Sequence, residues 1–113
     1  MKEIKATIQP HMLSKVVQAL HELPHFPGMT VFKCQGHGRG RGKGGSFVPT
    51  EDLIDYQAKE RIEIICSDQD SDGILKVIAA NAHTGNPGDG IITVSEVGFV
   101  IRIRTGETGS MAV

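Results

Sequence analysis

KERIEIICSDQDSDGILKVIAANAHTG, residues 59–85, is the stretch whose reading decides the fold. In its first eight residues Ile62, Ile64 and Cys66 alternate with Arg61, Glu63 and Ile65, a period of two that predicts a strand over 59–66. The period then changes. Ile74, Val77, Ile78 and Ala82 recur every three or four residues and predict the buried stripe of a helix, with Asp68 as its cap and Asp70 and Asp72 set against the positive end of its dipole. Gly85 is a natural terminator, NPGDG at 86–90 is turn chemistry, and IITVSEV at 91–97 returns as a strand. Read this way, the second half of the chain is a β-α-β unit.

The first half repeats the order. Ile4, Ala6 and Ile8 alternate with Glu3, Lys5 and Gln9, which predicts a strand over 3–9 ended by Pro10. Leu13, Val16, Val17, Leu20 and Leu23 define one face of a helix over 12–23, stopped by Pro24 and Pro27. After Gly28, MTVFKCQGH predicts a strand with Val31, Lys33 and Gln35 on one side and Thr30, Phe32 and Cys34 on the other. Both cysteines then face a core as free thiols. FVIRIR, after Gly98, adds a short fifth strand at the head of a C-terminal segment over about 99–113. The expected fold class is α+β, a ferredoxin-like double β-α-β in one domain over 1–113, with an antiparallel sheet and both helices on one face. The other face of so small a domain calls for burial in an oligomer.

Composition narrows the function. The 113 residues are 39% hydrophobic, enough for one modest core, and Lys plus Arg at 12 against Asp plus Glu at 13 gives a net charge of -1. That balance argues against a protein whose main role is coating nucleic acid or anionic membrane. Four Phe, one Tyr and no Trp leave few rings for stacking bases. Two cysteines are too few for a disulfide scaffold. The first residues carry charges instead of an apolar leader segment, and no run approaches the length of a membrane span, so the expected location is the cytoplasm without membrane insertion.

Between the second and third strands lies a long loop with six of the fourteen glycines inside 36–45. Loops of this length in compact domains are usually functional or disordered, and partners are expected to be met here. Arg39, Arg41 and Lys43 make its first arm basic, and Glu51, Asp52 and Asp55 make its second arm acidic. Gly40, Gly42 and Gly45 match G-x-G-x-x-G, but no helix follows, and Gly44 after Lys43 breaks a P-loop. The RGRG run suits an RNA backbone, which makes an RNA-binding ferredoxin-like module the alternative reading. Asp68, Asp70, Asp72 and Gly73 imitate a calcium loop whose twelfth position is Ala79 instead of glutamate. The five histidines show no ligand spacing, so no metal and no catalytic residue is assigned. In IRIRTG, 101–106, alternation turns Ile101 and Ile103 inward and sets Arg102 and Arg104 side by side, two guanidiniums suited to a phosphate chain. The glycine turn offers backbone N–H groups to the same anion.

PGMTV at 27–31, GHGR at 36–39, TGNPGDG at 84–90 and IRIRTGE at 101–107 together resemble the P-II signal-transduction family along nearly the whole chain. The resemblance implies a homotrimeric sensor, not an enzyme, with an adenine nucleotide (ATP, ADP or AMP) in each cleft between neighbours. It implies that Gly28, Met29, Thr30, Glu63 and Ile65 line the base and ribose. Gly36, His37, Gly38, Arg39, Gly88, Asp89 and Gly90 would approach the phosphates, with Arg102 and Arg104 as cations. A flexible loop over about 38–57, carrying Arg41, Lys43 and Phe47, would dock on a target protein: a nitrogen-metabolism enzyme, a regulator or a membrane transporter. Phe47 lacks the hydroxyl that members modified on tyrosine use. Lys59 matches a family lysine that pairs with 2-oxoglutarate. Gly40 replaces a glutamine that helps hold Mg and 2-oxoglutarate, and Ile91 replaces the lysine after GDG. These departures predict weak use of Mg and 2-oxoglutarate, and ADP or AMP competing well with ATP.

Overall fold

The computed structural model describes residues 1–37 and 56–113. They form β1 (Lys2–Ile8), a 3-10 turn (Pro10–Met12), α1 (Leu13–His21), β2 (Thr30–Gly36), β3 (Gln57–Cys66), α2 (Asp68–Ala82), β4 (Gly90–Glu96) and a final 3-10 turn (Gly109–Ala112). The sheet runs β2-β3-β1-β4, and every neighbouring pair is antiparallel. Each β-α-β unit leaves a gap one strand wide that the first strand of the other unit fills. This interlock is the expected α+β, ferredoxin-like arrangement.

The register explains the core. Ile4 lies opposite Ile64 and Ala6 opposite Ile62 across the central pair, so one face of two strands is continuously aliphatic. Val16 and Leu20 of α1 and Ile74, Ile78 and Ala82 of α2 close over that face, and all are buried. Cys66 is fully buried among them, and burial pushes its thiol upward, which keeps it an inert core atom. Val77 packs only partly buried at the margin.

Several sequence-based boundaries shift for local reasons. Ser67, not Asp68, caps α2: its Oγ accepts the Asp70 amide at 3.3 Å, because an extended residue one step earlier can reach back to the third helical N–H. The first helix opens as a 3-10 turn on Pro10 and ends at His21, with no side chain capping either segment. Cys34 lies opposite Lys59 on the sheet face turned away from the helices and is half-buried, so of the two cysteines only Cys66 faces the core.

The fifth strand is absent. Only one bridge, Ile101 to Thr108, forms there, and 102–107 closes as a turn in which the Arg102 amide donates to the Glu107 carbonyl at 2.9 Å. A strand needs a partner edge, and this segment finds only its own return limb. Ile101 and Ile103 are therefore 54% and 97% exposed instead of pointing inward, and Arg102 and Arg104 sit on an exposed turn.

Replacing Ile64 by Ala deletes a fully buried side chain at the centre of the sheet and is expected to cost about 2–5 kcal/mol. Ile64→Val is expected to cost about 0.5–1.5 kcal/mol, and urea unfolding of both variants measures the difference.

Candidate functional site

The helices cover one face of the sheet. The other carries Glu3, Lys5 and Thr7 of β1, Arg61, Glu63 and Ile65 of β3 and Thr30 and Phe32 of β2, with Phe32 44% exposed. Thr30 lies directly opposite Glu63, and Ile65 follows on the same face. Gly28 precedes this group with φ +100, a conformation that favours glycine, and Met29 turns toward the core. These five residues therefore gather at one end of β3. Between them and the middle of the strand, Arg61 Nη1 donates to Thr7 Oγ1 at 3.2 Å, while its buried Nε has no hydrogen-bond partner.

The glycine residues gather at the other end. Gly36 is the last residue of β2, opposite Gln57, and Gly88 and Gly90 flank the start of β4. Gly90 has φ +109, and a Cβ there would lie 1.7 Å from the Thr7 carbonyl oxygen, so only glycine fits where the chain crosses β1. Lys59, 8% exposed, donates from its ammonium to the Gly88 carbonyl, linking β3 to the turn. His37 stacks edge-on against Tyr56 with ring centroids 6.3 Å apart, joining the two limbs that enter and leave the long loop. Gly38, Arg39, Gly40, Arg41, Lys43 and Phe47 lie outside the described residues.

Asp89 organises the turn. Its carboxylate accepts the Thr84 hydroxyl, the Thr84 amide at 2.8 Å and the Gly85 amide at 3.0 Å, and Thr84 Oγ1 in turn accepts the Asn86 amide at 3.1 Å. The Thr84 hydroxyl foremost, then these amides and nearby His83, hold the Asp89 carboxyl down at about 2. Sequence reasoning assigned Asp89 to a ligand and passed over Thr84. The legible signal for Thr84 was a hydroxyl residue opening a glycine-rich turn that an aspartate closes.

The two groups do not meet within one chain. Glu63 and Lys59 are four residues apart on β3, about 13 Å at strand rise. Seven-residue β4 starts at the glycine turn and ends beside Lys2, which itself pairs with Cys66 near Ile65. The segment bearing Arg102 and Arg104 thus leaves the sheet from the Thr30–Glu63 end, about 20 Å from the turn.

A family model described as nitrogen regulatory protein P-II matches residues 1–107. The chain belongs to the P-II family. It is 40% identical to a nitrogen regulatory protein P-II of Rhizobium meliloti, with both chains covered completely. It is 44% identical to nitrogen regulatory protein P-II 2 of Methanothermobacter thermautotrophicus, covering 100% of this chain and 97% of that one, and 43% identical to a P-II protein of Porphyra purpurea over 99% of each. This P-II chain is accordingly a signal-transduction regulator and not an enzyme. No helix among its described residues is long and apolar enough to cross a membrane.

Asp89 gives the P-II turn a pH signature. Its folded-state value lies below the ordinary carboxylate value, so its contribution to stability is complete above about pH 4 and is lost as pH falls through about 2. Urea midpoints between pH 5 and pH 2 are expected to fall less steeply for Asp89→Asn than for the unmodified chain.

Proposed function

We propose that this P-II regulator binds an adenine nucleotide between neighbouring copies of itself and reports its occupancy to a target protein through the loop at 38–57. The observation that carries this reading is the division of the candidate residues into two incomplete sets at opposite ends of the sheet. One set offers Thr30, Glu63, Ile65 and the arginine-bearing segment, and the other offers Gly36, Lys59 and the glycine turn. Neither set holds both a base-sized surface and a phosphate cradle. Packing one copy's first set against another's second completes a site, and repeating the contact around an axis closes a ring, three copies in the proposed homotrimer.

The chemistry of the sets supports an adenine nucleotide. Thr30 and Glu63 offer hydroxyl and carboxylate partners to exocyclic and ribose groups, beside the aliphatic Ile65. Gly88 and Gly90 leave backbone open to phosphate, and Arg102 and Arg104 bring forked cations on an exposed turn. Ile91, 66% exposed, puts an aliphatic side chain where the turn enters β4, so among the described residues the cation that reaches the turn is Lys59. That composition favours ADP or AMP alongside ATP and gives Mg and 2-oxoglutarate a weak role. The target is a partner of the long loop, an enzyme, a regulator or a membrane transporter, met in the cytoplasm where adenine nucleotides circulate.

Native mass spectrometry with ATP, ADP and AMP in turn tests the reading. A trimer taking up to three nucleotides is expected, and a monomer taking none overturns it. Arg102→Ala together with Arg104→Ala is expected to weaken binding at least about a hundredfold, or about 2.7 kcal/mol, without changing the oligomer. In calorimetry, 2-oxoglutarate is expected to tighten ATP binding by less than about tenfold, or about 1.4 kcal/mol.

A further inference from the structure

Lys59 is a charged residue in an unusual setting. It is 8% exposed, yet among the described residues it forms no ion pair, and its one polar contact there is the carbonyl of Gly88. An ammonium has three donors, and removing it from water is costly unless it is paired and hydrogen-bonded. Two glycines make room for it. A Cβ on Gly36 would lie 3.3 Å from Lys59 Cγ, and a Cβ on Gly88 would lie 3.4 Å from its Nζ and 3.0 Å from Gln9 Nε2. Its stem therefore crosses the end of the strand that enters the long loop, and its head ends on the turn that precedes β4.

This path joins two segments that sequence holds far apart. Gly36 closes β2 just before the loop begins, and Gly88 lies 29 residues beyond Lys59. The Gly88 carbonyl belongs to the peptide group that precedes Asp89, the residue around which Thr84, Gly85 and Asn86 are folded. Holding that carbonyl fixes the peptide plane on which the turn is built. The open pocket on its far side, lined by Thr7, Ile8, Ala82, His83, Asp89 and Ile91 among others, contains no Lys or Arg.

We propose that Lys59 is a positioning residue, a latch whose ammonium holds the 84–90 turn against the neck of the long loop, so that a change at the turn is carried to the neck. The latch exists without any ligand. Its regulatory meaning rests on the nucleotide reading above, since phosphate at the turn competes with the carbonyl for the same ammonium. An anion that draws the ammonium away from Gly88 takes its place in holding the turn, through the turn's backbone amides, and shifts the stem across Gly36, moving both ends of one lever.

Amide hydrogen exchange of the ligand-free protein tests the latch apart from nucleotide. In Lys59→Met, exchange at Thr84, Gly85 and Asn86 is expected to rise at least about fivefold, while Val77 and Ile78 in α2 keep their protection. Lys59→Arg, which retains a cationic donor, is expected to restore most of the protection, a recovery that loss of packing alone does not predict. Unchanged exchange at the turn in Lys59→Met, or an equal rise throughout the chain, overturns the proposal. If Lys59→Met does not fold, Gly36→Ala decides: it keeps the charge, crowds the stem, and is expected to raise exchange at the same three amides, and no rise overturns the latch. Added ADP is then expected to slow exchange at both Lys33–Gly36 and the turn in the unmodified chain, but only at the turn in Lys59→Arg, whose planar guanidinium crosses Gly36 differently. A chain whose exchange ADP leaves unchanged overturns the nucleotide reading, while the ligand-free comparison still judges the latch.

Discussion

The antiparallel pairing of β1 with β3 is the contact on which the rest of the structure depends. It joins strands from the two β-α-β units, runs through seven residue pairs and sets Ile4 on Ile64 and Ala6 on Ile62. Because side chains alternate with a period of two, a slip of one residue would turn both aliphatic rows away from the helices at once. The same pairing closes the gap inside each unit, so neither helix can cover its sheet unless the other unit is in place. Burial of α1 and α2 on one continuous face follows from that interlock, as does the exposure of the opposite face.

The pairing also decides where loops converge. Ile8 stands opposite both Glu60 and Gly90, which brings the exit of the long loop and the start of β4 to the same end of β1. There the backbones come so close that Gly90 excludes any side chain, and Lys59 can span from Gly36 to Gly88. Residues at the opposite end, Thr30, Glu63 and Ile65, are held in place by the same strands but kept a strand's length away. A single chain therefore presents two partial surfaces. Under the proposed reading that separation has a use, because a ligand completed by two copies couples its occupancy to their assembly and to both of their loops.

Electrostatics at the turn work by satisfaction more than by net charge. Asp89 is surrounded by hydroxyl and amide donors, so its charge is spent on shaping backbone. Among the described residues Lys59 is held by one carbonyl, which leaves donor capacity for a further partner. The first arrangement makes a stable scaffold. The second leaves a group able to change partners, the property a switch requires.

Much of this was legible beforehand. The alternation at 59–66, its change to a helical period after Ser67, and the repetition of that order near the N-terminus determined the element sequence and the antiparallel class, because periodicity records which side of an element meets water. The runs PGMTV, TGNPGDG and IRIRTGE marked the residues of the candidate site and the family. What the sequence left open are matters of partner and direction. IRIRTG alternates like a strand, yet with no edge to pair with it closes as a turn and leaves Ile103 in solvent. Asp89 reads as a ligand, and the structure adds that its carboxylate also holds its own loop, because Thr84 and Gly85 lie within its reach. Lys59 reads, by resemblance, as a contact for 2-oxoglutarate, and the structure adds that its ammonium donates to the Gly88 carbonyl of the chain's own turn. Sequence by itself determined the elements and their faces, since those depend on neighbours a few positions away. Only the tertiary structure decided which charges are spent on backbone and which remain free to bind, since that depends on atoms brought together from 29 residues apart.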